Sequence, residues 1–253
     1  MNSRVSVIVG GATSVGRAIA ERFGELGDRV YVADISAVGI AELNASRGII
    51  ATVVDATDPA AMAAFFERVQ AEARALDVLV NAVGLAGPHA ALEDVSVQDW
   101  DNTLRGSVGA AFYAIRAVAV GMKQRGRGAI INFSSASTRT GLPARTPYVV
   151  AKAAVEALTR NMARELGPFG VRINAILPGA IDNERLRRTF VTAARERGIS
   201  PEAYEEESLR YVSMRCKIGL AELVAMVEFL SSDAAIHVTG QLIAVDGNSE
   251  WEE

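Results

Sequence analysis

Hydrophobic positions along the chain fall into two alternating rhythms. Short apolar, β-branched runs stand at residues 5–9, 29–33, 49–54, 77–81, 129–133, 170–176 and 241–245. Runs of that length, bounded by turn residues, predict strands covered on both faces. Between them the apolar spacing changes to three and four residues, as on one face of a helix. Ala18, Ile19, Phe23 and Leu26 share such a face, and residues 59 to about 75 form the next long helix, with Thr57 or Asp58 as cap and Pro59 in the first turn. Residues 96–123 predict a long helix carrying Val97, Trp100, Leu104, Val108, Phe112, Ile115 and Val118, interrupted by Gly106 and Gly109 around Ser107. Each glycine costs up to ~1 kcal/mol relative to alanine inside a helix and points to close packing or a kink. Further helices are expected from Pro147 to about Leu166 and over 219–231. Strand and helix alternate throughout, which predicts an α/β fold: a doubly wound parallel sheet of about seven strands with helices on both faces, in a single domain over 1–253. Residues 183–217 break the alternation with a strongly charged, helical stretch interrupted at 198–201, placed as a substrate lid.

The polar residues that matter cluster where those strands end. Gly10-Gly11-Ala12-Thr13-Ser14-Val15-Gly16 joins the first strand to the first helix. Strand, glycine-rich turn and helix together offer free backbone N–H groups and a positive helix end to a phosphate. Asp34 ends the second strand, 18 residues after Gly16, where a carboxylate accepts from ribose hydroxyls and repels a 2′-phosphate, so NAD is expected over NADP. Its other reading is a cap for the next helix, a role Ser36 can also fill. Asp55 with Ala56, and Asn81 with Gly84, follow the third and fourth strands and are candidates for the same crevice. The fifth strand delivers Ser134 and Ser135 there. Tyr148 and Lys152 stand one helical turn apart on one face. A phenol titrates near ~10 in water, and a neighbouring ammonium favours its ionised form. With a serine hydroxyl to hold a substrate oxygen, that is a proton-transfer device for an alcohol or a carbonyl.

Bulk composition narrows the field. Thirty acidic against 26 basic residues give a net charge of −4 with no basic block, which argues against a nucleic-acid surface. Cys216 is the single cysteine, so neither an intrachain disulfide nor a cysteine metal site is available, and His89 and His237 are too few and too far apart to suggest a metal centre. No apolar run reaches membrane-spanning length and no signal peptide is evident, so a cytoplasmic protein is expected.

In this order and spacing the motifs resemble the short-chain dehydrogenase/reductase family over nearly the whole chain. The family's Thr-Gly-x-x-x-Gly-x-Gly is met by residues 9–16, with Val9 for the threonine and Ser14 for the middle glycine. Its Asn-Asn-Ala-Gly is Asn81-Ala82-Val83-Gly84, and its serine and Tyr-x-x-x-Lys are Ser135, Tyr148 and Lys152 at the usual thirteen-residue offset. Its Pro-Gly-x-x-x-Thr is Pro178-Gly179-Ala180-Ile181-Asp182-Asn183, and Thr239-Gly240-Gln241 and Val245-Asp246-Gly247 match its C-terminal signature.

The resemblance implies a Rossmann-like fold and hydride transfer between a secondary alcohol (diol, polyol, hydroxyacid or cyclic alcohol) and NAD. Tyr148 is the implied acid/base, Lys152 lowers its pKa and bonds the nicotinamide ribose, and Ser135 holds the substrate oxygen. Ser107 takes the place of the usual catalytic asparagine. Thr13, Ser14, Val15, Pro178, Gly179, Ile181 and Asn183 join Gly10, Gly16, Asp34, Asp55, Ala56, Asn81 and Gly84 as cofactor contacts, Asn183 standing for the usual threonine. The resemblance also implies a dimer or homotetramer, with Ala110, Ala111, Ala153 and Ala154 allowing close helix contact. Ser107 and the charged lid are similar to members acting on cis-dihydrodiols of aromatic carboxylic acids, where Arg185, Arg187 and Arg188 would pair with the carboxylate; their other reading is a solvated helix face. A 3-oxoacyl carrier-protein reductase, usually NADP-dependent, and a non-catalytic NAD-binding regulator or scaffold are the competing readings.

Overall fold

The computed structural model describes residues 3–73 and 75–250. In chain order the elements are β1 (Val5–Val9), α1 (Ser14–Glu25), β2 (Arg29–Asp34), α2 (Ala37–Leu43), β3 (Ile49–Val53), α3 (Pro59–Glu72), β4 (Val78–Asn81), α4 (Val97–Leu104), a π-helical segment (Arg105–Gly109), α5 (Ala110–Arg125), β5 (Gly128–Phe133), α6 (Ser137–Thr140), α7 (Thr146–Leu166), β6 (Val171–Pro178), α8 (Glu184–Arg197), α9 (Pro201–Leu209), α10 (Leu220–Ser231) and β7 (Leu242–Val245). The seven strands form one sheet in the order β3-β2-β1-β4-β5-β6-β7, and every pairing is parallel.

The alternation of side chains along each strand builds two cores. Val5, Val7 and Val9 of β1 pack with Phe65, Phe66, Ala114 and Val118 on one face. Ile8, from the same strand, packs with Ile19, Phe23, Leu223 and Val227 on the other. Phe23 and Phe66 are fully buried, one in each layer. Burying such side chains stabilises by ~1.5–3 kcal/mol each. Strand order reverses beside β1, between β2 on one side and β4 on the other. The carboxyl ends of the strands therefore open a crevice at that point.

Several expectations change in detail. The helix expected over 96–123 consists of α4 and α5 joined by the π segment. Gly106 sits there because a Cβ would lie 2.3 Å from Leu85 Cδ1. Leu26 caps α1 and is 44% exposed instead of joining its buried face. The charged stretch is helical in α8 and α9 only. Beyond Leu209 it runs as turns, held by bridges from Val212 to Ser249 and Ile218 to Ile181. Ala110 and Ala111, expected to allow close contact between subunits, are instead buried within the chain, Ala110 in the core shared with the sheet. Among the described residues, no helix is long and apolar enough to cross a membrane.

Candidate active site

The crevice is a cleft of about 1010 Å³. Its floor is the glycine turn. Gly10 takes φ +81°, and a Cβ there would lie 2.7 Å from Val83 Cγ2. A Cβ on Gly16 would lie 2.0 Å from the Gly10 carbonyl oxygen, so only glycine lets α1 start this close to the turn. Ser14, in place of the family's middle glycine, takes φ +47°. Thr13, Ser14, Val15 and Gly16 all line the cleft.

Asp34 does not cap α2. Ser36 does, its Oγ accepting the Gly39 N–H at 3.2 Å. Asp34 instead braces the turn: Oδ2 accepts the Ala12 N–H and Oδ1 the Ser36 N–H, each at 2.9 Å. Each carboxylate oxygen has a further lone pair for a hydroxyl donor. Asp55 Oδ1 accepts from the Thr57 N–H and hydroxyl at 2.8 and 2.7 Å, and Asp55, Ala56 and Thr57 line the same end. Asn81 is not brought to the cleft. It is buried between strands, where its Nδ2 donates to Asn132 Oδ1 at 2.8 Å, and Asn132 in turn donates to Thr159 Oγ1 at 2.8 Å. Ala82, Val83 and Gly84 line the cleft beyond it.

The opposite end is built by β5, α7 and the segment after β6. Ser135 Oγ accepts from the Ser137 N–H at 3.2 Å and the Ser137 hydroxyl at 2.9 Å, which leaves its own hydrogen free to donate. Tyr148 and Lys152 project from the first turns of α7, with Lys152 Nζ 5.9 Å from the phenol ring centre. Lys152 is buried and Nζ donates to the Phe133 carbonyl at 2.8 Å. Burial pushes its pKa down to about 8, and the charge of Arg185 adds to the shift. Two of its three N–H donors are left for a ligand. A Cβ on Gly84 would lie 2.6 Å from that Nζ, so Gly84 keeps the space around the ammonium open.

Ser107 lies behind the cleft wall, in the π segment. Its Oγ is buried and has no hydrogen-bond partner among the described residues. A Cβ on Gly84 would be 4.0 Å from this Oγ as well as close to Lys152, which places the three residues together. Pro178, Gly179, Ile181 and Asn183 line the roof. Asn183 caps α8, its Oδ1 accepting the Leu186 N–H at 2.9 Å, and its Nδ2 donates to Ser14 Oγ at 3.3 Å, tying the roof to the glycine turn.

Sequence reasoning missed Asn102 and Arg105, which also line the cleft. They stand three residues apart just before Gly106, and a polar pair on one face next to a helix interruption was the available signal. Arg185 and Arg188 line it too, while Arg187 turns away to pair with Asp182 at 3.1 Å.

A glycine turn on the first strand, an acidic second strand end and a Ser–Tyr–Lys set meet in one crevice, at the point where strand order reverses. A family model described as enoyl-(acyl carrier protein) reductase matches residues 10–248. The chain is 32% identical to the probable galactose dehydrogenase GalD of Rhizobium meliloti, over 98% of this chain and 95% of that one. It is 30% identical to gluconate 5-dehydrogenase of Gluconobacter oxydans, over 96% and 93% of the two chains. The solved structure of NAD+-bound xylitol dehydrogenase superposes with a TM-score of 0.91 at 26% identity, covering 97% of this chain and 98% of that one. The chain belongs to the short-chain dehydrogenase/reductase family and is an oxidoreductase of the short-chain alcohol dehydrogenase type.

Proposed function

We propose that the protein oxidises a secondary alcohol to a ketone with NAD, or runs the reverse reaction, using Tyr148 as acid/base. The observation that carries this is the convergence of Ser135, Tyr148 and the buried Lys152 in one cleft with the glycine turn and Asp34. The residues fit a dinucleotide. The turn offers close backbone approach, Asp34 offers acceptors at the ribose end, and Lys152 keeps donors free beside an open space that Gly84 maintains. NAD, when bound, supplies the acceptor for the hydride leaving the alcohol carbon. The alcohol's proton passes to the Tyr148 oxygen. Lys152 stabilises the ionised phenol and bonds the cofactor ribose, and Ser135 donates to the substrate oxygen as charge develops on it. Asp34 favours NAD over NADP, because a 2′-phosphate would face a carboxylate. Ser107, facing Lys152 from behind, positions the proton path.

In this reading α8 and α9 form the lid, the protein works in the cytoplasm, and it assembles as a dimer or tetramer through α5 and α7. Phe112 and Val120 on α5, and Val150 on α7, are exposed apolar side chains that support the last point.

The test is NADH formation at 340 nm across diols, polyols, hydroxyacids and cyclic alcohols. Tyr148→Phe should lower turnover by about 10²–10⁴ while NAD still binds. Retention of most activity by that variant would refute the mechanism.

A further inference from the structure

The cleft is electrically divided. Its unpaired acids, Asp34 and Asp55, sit at the ends of β2 and β3, on one side of β1. On the other side, β5, β6 and the segments following them carry Lys152 and Arg185. Glu184, the acid nearest Arg185 in sequence, also lines the cleft, but it pairs with Arg188 there at 3.5 Å. Arg187 is engaged by Asp182. The side chain of Arg185, alone of these three arginines, has no hydrogen-bond or ion-pair partner among the described residues, although it lines the cleft with Tyr148 and Ser135. A second cation backs it. Arg145, one turn before Tyr148, is held by donation from Nη1 to the carbonyls of Ala86 and Gly87 at 3.3 and 3.1 Å. These neutral acceptors cancel none of its charge, and Arg145 lies in the field of Arg185. Lys152 feels that of Arg185 as well. Arg185 thus stands between two other cations with no carboxylate paired to it, an arrangement that a ligand carboxylate would stabilise. A guanidinium suits a carboxylate because its planar donors match the two oxygens.

We propose that the substrate is a hydroxy acid, whose carboxylate Arg185 binds within the field of Arg145 while its hydroxyl faces Ser135 and Tyr148. This rests on the dehydrogenase reading of the same cleft and narrows it to an anionic substrate class. Arg185 would then be a specificity-determining residue. Of the three arginines at its start, α8 would contribute Arg185 to the ligand, while Arg187 and Arg188 stay tied to Asp182 and Glu184.

The experiment uses the full chain loaded with NAD. Lactate, 3-hydroxybutyrate, gluconate and mandelate are each compared with the corresponding primary amide, by calorimetric binding and by NADH formation. At least one acid should bind about tenfold or more tightly than its amide. Arg185→Met should remove that discrimination and leave the Kd for NAD unchanged. Arg187→Met, on the same helix but outside the cleft, should keep it. Absence of charge discrimination in every pair overturns the inference. So does an Arg185→Met variant that weakens NAD binding with discrimination intact, since Arg185 would then serve the cofactor's pyrophosphate. The two levels separate cleanly. Charge-selective binding without oxidation upholds the subsite and removes the dehydrogenase reading, whereas oxidation with no preference for charge does the reverse.

Discussion

The ammonium of Lys152 is anchored on the main-chain carbonyl of Phe133, at 2.8 Å, and by no side chain among the described residues. The bond joins the first turns of α7 to the carboxyl end of β5, so helix and sheet together fix where the Tyr148–Lys152 face points.

That burial has a pH signature. The Lys152 pKa falls from 10.5 to about 8 in the folded chain. Between those values the unfolded chain binds the extra proton, so this residue's contribution to folding stability rises with pH across the window, and below about 8 the buried charge destabilises. Lys152→Met should remove this pH dependence. Denaturant midpoints of both proteins from pH 7 to 10.5 provide the check, and parallel curves would contradict it.

Asp34 should act on two readouts at once. Asp34→Ala leaves the Ala12 and Ser36 N–H groups without their acceptor, which costs about 1–3 kcal/mol. It should also weaken NAD about tenfold or more and narrow the preference over NADP. Loss of stability with unchanged NAD affinity would reduce Asp34 to a structural brace.

Gly16→Ala should be disabling for a steric reason. The new Cβ would lie 2.0 Å from a backbone oxygen, which cannot rotate away as a side chain would. The turn must shift, at about 1–3 kcal/mol. NAD titration and thermal melts should both show the damage. A variant with wild-type NAD affinity would separate the turn from the cofactor.

Ser107 offers the opposite combination. Its buried Oγ makes no hydrogen bond, so Ser107→Ala should leave stability unchanged or raise it by up to ~1 kcal/mol. If the hydroxyl serves Lys152, kcat should fall about tenfold even so. Equal kcat in the two proteins would remove Ser107 from the catalytic set.

Much of this architecture was legible in residue order. The seven apolar runs became the seven strands, with ends shifted by a few residues, because buried parallel strands have little alternative pattern. The family was readable for a related reason: its motifs are loop residues at strand ends, and their spacing reflects fixed strand and helix lengths. What stayed hidden depended on partners distant in sequence. Ala110 reads equally well as a subunit contact or a core position, and only the packing beneath it decides. Arg185, Arg187 and Arg188 form one charged stripe in sequence; which of them is left unpaired depends on where Asp182 and Glu184 fall. Asn81 follows the motif, yet its side chain turns into the sheet because Asn132 lies beside it in the register of β4 and β5.

The π segment between α4 and α5 works as a phase adjustment. A π turn holds one residue more than the α-helical turn it replaces, and each residue advances a helix by about 100°. Upstream, α4 packs against α7; downstream, Ala110, Ala114, Val118 and Met122 of α5 must meet the sheet. Both faces point inward only because residues 105–109 absorb the difference. Deleting a single residue there returns the segment to the count of an α-helical turn, so α5 keeps its phase and its apolar stripe stays on the sheet. A deletion of one residue within regular α5 has no such reserve and turns the residues on one side of it by about 100° relative to the other.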